Sequence, residues 1–429
     1  MTLGGFTLPA LSAYDPGMEG EGSLDPMGLG AIADRLADRL VPGLRARMSR
    51  IRFVTAMAVG AMVCEALPDV ISADGMTSPA ICFEWLVIES FARRVAPQEL
   101  PSGVPGSQKA RAVVARSQRL SAGTYLKVPT VFGFNGIYKP FGIDSGIVTS
   151  DLAPAPWCAE LVRAWESDQG FDGFTDSVSG SRGGRLLVQL REGVRAGLLE
   201  GRCSTKPNSP LFGDIAMSLH PGRAMATERR VLRSLVRSDR HEHRAELADR
   251  LIDLPDNLTE SEVLTRIRSK CSAPLRRTID AVVSYERFAE LLDTGFRTLT
   301  AISYSMGSQP LTPHAVRDNE LLVRCTRELP DSYRRADETM DAIAFDSQLE
   351  GSFGEFSIPC GPADLVELLL KHHEHVQAAK DKRSWFEPLR NGWVVRRPYG
   401  SAEPPQLVGE FVHPVRVAAL GRFVAESAP

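Results

Sequence analysis

The fold class predicted for this chain of 429 residues is mainly α, a multi-domain helical protein with small β elements and one winged-helix-like element. Three observations predict it. Helix-start punctuation recurs along the chain. Between these starts, apolar residues repeat every three or four positions, and alternating β-branched runs are almost absent. The length exceeds one ordinary core, and 43% hydrophobic with 24% charged residues is the composition of a folded, soluble chain.

Taken in order, Asp25-Pro26, Ser78-Pro79 and Thr312-Pro313 each offer a capping side chain followed by proline at a first helical position. "TESE" at 259–262 reads as a capping box in which Thr259 and Glu262 satisfy each other's backbone donors. From Leu275 the series Ile279, Val282, Tyr285, Ala289, Leu292, Phe296 and Leu299 steps by three or four, which places one apolar stripe on a long helix near 275–305. Strand signals are confined to 143–152, 393–396 and 407–412. Seams are expected at 19–26, 170–184, 200–214 and 350–362, where glycine, proline and serine concentrate. The organisation expected is an extended segment over 1–22, a helical domain over 23–200 and a linker over 201–224. A second helical domain over 225–350 and a helical or mixed segment over 351–429 follow.

Seven widely spaced cysteines without a CxxC pair read as reduced thiols and predict a cytoplasmic protein. The amino terminus has neither the basic start nor the continuous apolar core of a signal peptide. The longest apolar run, 53–64, is short of the roughly 20 residues that span a bilayer, so no membrane partner is expected. With a net charge of −3, any affinity for nucleic acid has to come from local patches.

One such patch stands out. Between Glu99 and Asp144 there is no acid, whereas Lys109, Arg111, Arg116, Arg119, Lys127 and Lys139 all fall there, interleaved with Tyr125, Phe132, Phe134, Tyr138 and Phe141. Cations neutralise phosphates and aromatic faces stack on bases. Two foldings are open: a hairpin turning at Asn135-Gly136, or a short helix burying Val131, Phe134, Tyr138 and Phe141. The second fits a following turn and short strand, then a helix over 155–168 with Trp157, Leu161 and Trp165 inward. That order is winged-helix-like over about 107–168, with cations facing DNA and rings mostly in the core.

Two further stretches are cation-rich. Arg45, Arg47, Arg50 and Arg52 fall in an acid-free run where a helix would bring Arg45 and Arg52 to one face. The plainer expectation is ion pairing with Asp34, Asp38 or other parts of the chain. Residues 371–399 hold seven cations among Trp385, Trp393 and Tyr399, and a solvated helix end with buried tryptophans accounts for them as well as phosphate binding does.

Catalytic motifs are incomplete. His372 and His375 could share an ion at three-residue spacing, but helix-end histidines are the ordinary explanation. Asp337/Asp341 and Asp346/Glu350 have the spacing of paired carboxylates without a lysine partner. "SGSRGGR" at 179–185 lacks the lysine and hydroxyl of a P-loop. No catalytic residue, metal ligand or cofactor is therefore assigned.

The run 8–60 carries a "G-x-x-D-x-x-G-x-G-x-I-x-D-x-x-A-D-x-L-x-P-G" pattern ahead of an Arg- and Phe-containing helix. Its residues here include Gly22, Asp25, Gly28, Gly30, Ile32 and Asp34, continuing through Asp38, Leu40, Pro42, Gly43, Arg52 and Phe53. With "PGSQKARAV" and "FGFNGIYKPFGIDSGIV", this resembles uncharacterised bacterial proteins associated with phage-defence gene clusters, over about the first 170 residues. The resemblance implies a bacterial defence component, of actinobacterial type, that works beside other subunits; it implies no reaction. The expected function is a non-catalytic subunit of an antiphage system that contacts double-stranded DNA through the six cations. The alternatives are a helical protein–protein adaptor without DNA contact and a metal-dependent nuclease.

Overall fold

The structure, a computed structural model, describes residues 25–429 apart from 68, 69, 239, 253, 256 and 347. The expected extended segment over 1–22, the first part of the 19–26 seam and Gly22 lie outside the described residues. The protein is mainly helical, at 59% helix, and the sheet found among the described residues has two strands. In chain order the elements begin with α1 (Gly30–Leu40), α2 (Phe53–Cys64), α3 (Pro79–Arg94), α4 (Ser107–Ala115), α5 (Pro129–Phe132) and α6 (Phe134–Asp144). Next come α7 (Cys158–Gln169), α8 (Arg182–Glu200), α9 (Pro210–Ser218), α10 (Ala226–Val236), α11 (Glu242–Leu251) and α12 (Glu260–Ile267). The remainder is α13 (Ala273–Met306), α14 (Pro313–Val316), α15 (Glu320–Asp341), α16 (Leu349–Phe353), α17 (Pro362–Ala379), β1 (Phe386–Leu389), β2 (Gly392–Val395) and α18 (Val417–Glu426).

Local chemistry sets most of these boundaries. Ser78 and Thr312 accept from the backbone of Ile81 and Ala315, with Pro79 and Pro313 opening α3 and α14. Thr259 and Glu262 form the reciprocal box that starts α12. Asp25-Pro26 acts differently from expectation. Gly28, at φ +75°, turns the chain, and the Asp25 carboxylate reaches past it to accept from Leu29 N (2.9 Å) and Gly30 N (3.1 Å), so the helix begins at Gly30. In α13 every stripe residue from Leu275 to Leu299 is buried.

The strands follow the sequence only in part. Residues 392–395 pair antiparallel with 386–389, Phe386 opposite Val395. The 143–152 signal yields a single bridge, Val148 to Pro154, and 407–412 forms no strand. Gly409 sits at φ +79°, and carboxylates of α13 take the donors a neighbouring strand would have used: Glu290 accepts from Gly409 N (2.7 Å) and Glu286 from His413 N (3.0 Å). Residues 45–52 form turns rather than the considered helix, following Pro42 and Gly43 at φ +78°.

The chain divides into two compact units, one made of the chain up to Arg35 with Asp280–Pro414, the other of Leu36–Ile279 with Val415–Pro429. The divisions fall within α1, within α13 and at 414–415, not at the glycine-rich segments. Those glycines serve close approach: a Cβ on Gly183 would stand 1.9 Å from the carbonyl oxygen of Phe171. The smaller unit packs α15, α17 and the hairpin with its part of α13.

The larger unit is organised around α2, whose residues from Phe53 to Ala61 are all buried. At its entry Arg52, 1% exposed, meets Glu228 of α10, 0% exposed, through Nε and Nη2 at 2.9 Å each. The same guanidinium donates to the carbonyls of His220 (2.6 Å) and Ser218 (2.8 Å), while Thr55 Oγ1 donates to Glu228 (2.7 Å). Asp168 of α7 accepts from Glu228 N (2.7 Å), which ties a fourth element to the pair. Removing one member of such a pair strands the other charge in low dielectric. Glu228→Ala is therefore expected to cost about 3–5 kcal/mol, and Arg52→Met with Glu228→Leu distinctly less than the two single losses combined. Urea midpoints followed by tryptophan fluorescence measure both; an additive double variant would contradict the coupling.

Candidate functional site

The acid-free stretch after Glu99 is built on a buried carboxyl group. Glu84 of α3 is 0% exposed and accepts from Tyr125 Oη (2.8 Å) and from Asn135 N (3.0 Å), in the first turn of α6. Among the described residues it has no cationic partner, and burial raises its pKa to about 7 against the pull of those donors. Glycine makes room at two points. A Cβ on Gly133 would come 1.9 Å from Glu84 Oε1, and Gly106, at φ +70°, lies where a Cβ would meet the Tyr125 ring at 2.4 Å. Of the two foldings open to the sequence, the short helix is the one found: Asn135 and Gly136 lie in α6. Phe134, Tyr138 and Phe141 are buried, Phe134 stacked on Phe53 at 5.3 Å, and Tyr138 Oη accepts from Ser49 N and Arg50 N (3.0 and 2.8 Å). Val131 and Trp157, expected inward, are 46% and 43% exposed, because each precedes the helix whose face it would have joined.

The six cations lie in and around α4 to α6. Lys109 and Arg116, two turns apart, share a face of α4, with Arg111 rotated about 200° from Lys109. Lys109 is half-buried and donates to Tyr125 O (3.4 Å); Arg111 is half-buried, and its buried Nη2 has no hydrogen-bond partner. Arg119 fastens the 203–205 segment by donating to Cys203 O (3.1 Å) and Thr205 O (2.5 Å). Arg116 and Lys127 are exposed, and half-buried Lys139 lies near enough to Asp151 to help lower its pKa, behind the hydrogen bond from Thr149. Among the described residues none of the six has a carboxylate within 4 Å, whereas neighbouring Arg93 and Arg163 are ion-paired. Asp144, which closes the stretch, is engaged by His241 and Arg244 instead. Beside Lys127, Val128 and Phe132 are exposed, and the Arg47 guanidinium lies 4.7 Å from the Phe132 ring.

The other basic stretches are internally occupied. Arg45 pairs with Asp38 (2.8 Å) and Arg50 with Glu426 (2.6 Å), the ion-pairing expectation. In the smaller unit Lys380 pairs with Asp25, Lys371 with Glu355 and Arg396 with Glu387, and Trp385 is buried. The histidines there are structural. His373 Nδ1 donates to Pro26 O (2.8 Å), Nε2 accepts from Trp385 N (2.9 Å), and burial lowers its pKa to about 4, so the ring is neutral with both nitrogens in use. His372 Nε2 contacts Met27 O at 2.9 Å. Asp337 has its pKa raised by burial and by Asp341 and Glu350, and no group of three or more His, Cys, Asp or Glu among the described residues is arranged to hold a metal ion. At 179–185, Gly184 N donates to Ser181 Oγ (2.8 Å) and Gly183 N to Asp172 O (3.1 Å), so these amides are engaged within the protein.

Sequence reasoning did not assign the roles of three residues that organise this unit. Glu84 carried no signal beyond standing as a charge in an apolar run, and Arg52 stood out only as one of four arginines in an acid-free run and as part of the amino-terminal pattern. Arg244 carried no signal of its own; it is 0% exposed, donates to Pro42 O (2.8 Å), binds Asp144 and lies 5.2 Å from the Phe141 ring centre. Compared with known protein families, with characterised proteins and with solved structures, the chain matches none.

The buried Glu84 carboxyl has a measurable signature. Its pKa is raised above the unfolded value of 4.5, so its stabilising contribution is full below about pH 4.5 and is lost as pH rises through about 7. Between pH 5 and 8 the wild type should lose on the order of 3 kcal/mol relative to Glu84→Gln, which has no proton to release. Chemical denaturation of both proteins at the two pH values tests this; parallel pH profiles would show that Glu84 titrates normally.

Proposed function

We propose that the protein is a non-catalytic, DNA-associated subunit of a bacterial antiphage system, and that it meets duplex phosphates with the region of α4 to α6. The observation that carries this reading is an acid-free stretch whose six cations all lack a carboxylate within 4 Å among the described residues, while arginines such as Arg52, Arg244 and Arg287 are ion-paired. Phosphates supply the charge that no side chain supplies here. The side chains with most freedom, Arg116, Lys127 and Lys139, lead the contact; Lys109, Arg111 and Arg119 are held partly by the fold and add positive potential. Helix, helix, the Val148–Pro154 turn and then α7 is an order that supports the winged-helix-like reading of 107–168. The defence role and its companion subunits rest on the resemblance of the amino-terminal residues.

The adaptor reading has its own support in exposed Val128, Val131 and Phe132, which suit a protein surface as well as a nucleic acid. One experiment separates the two. Duplex DNA titrated at several salt concentrations should show log Kobs falling with log salt at about 0.9 per phosphate neutralised, and Arg116→Glu with Lys127→Glu should weaken binding and lower that slope by about 2. Absence of binding at low salt, or binding indifferent to salt and to both substitutions, would favour the adaptor.

A further inference from the structure

The larger unit has a second surface feature unrelated to the acid-free stretch. A groove of about 740 Å³ runs beside α18, within the range of binding pockets. One line of its floor is small: Ala418, Gly421 and Ala425 of α18 and Ala428 just past it recur at spacings of three and four, and no heavy atom lies within 4 Å of where a Gly421 Cβ would stand. Apolar bulk comes from the chain leading into α12, through Leu251, Ile252, Leu254, Leu258 and Val263. Ile252 is 55% exposed, unusual for so large an apolar side chain.

Charge supplies the other half of the description. Arg50, Arg233, Arg237 and Arg422 line the groove; among its described lining side chains the one acid is Glu426, already bound by Arg50 and by Ile51 N (2.9 Å), and Arg237 pairs with Asp249. Arg233 uses Nε on Ser427 O (2.8 Å), and Arg237 uses Nε on Asp249 (2.7 Å), so neither of these bonds occupies a terminal nitrogen. Among the described residues Arg422 makes two 3.4 Å hydrogen bonds, to the carbonyls of Ala46 and Met48. Arg233 and Arg237 are one helical turn apart and present their groups along one line.

A small-residue floor lets a helix backbone approach closely, exposed Ile252 and the half-buried leucines accept an apolar stripe, and Arg233 and Arg422, which have no carboxylate within 4 Å among the described residues, favour carboxylates beside that stripe. We propose that this groove docks an amphipathic helix of a protein partner, one whose apolar face is flanked by Asp and Glu. The site lies apart from the six cations, so its occupant and DNA address different residues.

The test uses the full chain and a labelled helical peptide of about 16 residues with leucines at i, i+3, i+4 and i+7 and flanking glutamates, beside two controls of equal length. One control has the same composition scrambled; the other replaces each glutamate by lysine. Fluorescence anisotropy should show saturable binding of the acidic amphipathic peptide alone. Arg422→Glu and, separately, Ala425→Trp should each weaken it about tenfold or more, with unchanged far-UV circular dichroism and thermal midpoint. Equal binding of either control, no saturable binding, or wild-type affinity in both folded variants would overturn the proposal.

Discussion

The buried pair between Arg52 and Glu228 is the constraint on which the larger unit depends. A guanidinium and a carboxylate without solvent are tolerated only with near-complete hydrogen bonding, and here they recruit the carbonyls after α9, the Thr55 hydroxyl and, through the backbone of Glu228, the Asp168 side chain. That requirement fixes the entry of α2 relative to α7, α9 and α10. Because α2 is apolar on every side, its helical period offers little to orient it, and the polar pair at its first turn does so instead.

A related economy of charge explains the candidate nucleic-acid surface. Three carboxylates around this stretch are committed inward or to particular cations: Glu84 to Tyr125 and α6, Glu89 to Arg93 and Leu120 N, and Asp144 to Arg244 and His241. The cations from Lys109 to Lys139 are left to carbonyls or solvent. Net charge over the whole molecule is slightly negative while this region stays positive. The two facts coexist because partners far apart in sequence decide where each charge is neutralised. Rings that look like a stacking surface in the sequence serve mainly as core, as Phe134, Tyr138 and Phe141 do, leaving Phe132 at the surface.

How much was legible follows the range of each interaction. The capping box at 259–262, the starts at Ser78 and Thr312, and the stripe of α13 are local, and the sequence places them correctly. The short helix at 134–144 was one of two local options; the Glu84 carboxylate receiving its first-turn amide comes from fifty residues away, so spacing within the segment could not choose. The 407–412 run reads as a strand, yet Gly409 N within it and His413 N just past it donate to Glu290 and Glu286 of a helix more than a hundred residues earlier. The division into units likewise passes through continuous helices, where composition shows no seam.

The sequence by itself determined the helical class, several helix starts and the existence of an acid-free basic stretch, because capping, periodicity and composition act over a few residues. Only the tertiary structure decided which charges remain unpaired and which histidines are silent, and it alone formed the groove beside α18. Burial and ion pairing join residues hundreds of positions apart: Arg50 finds its carboxylate at Glu426, and His373 finds its acceptor at Pro26.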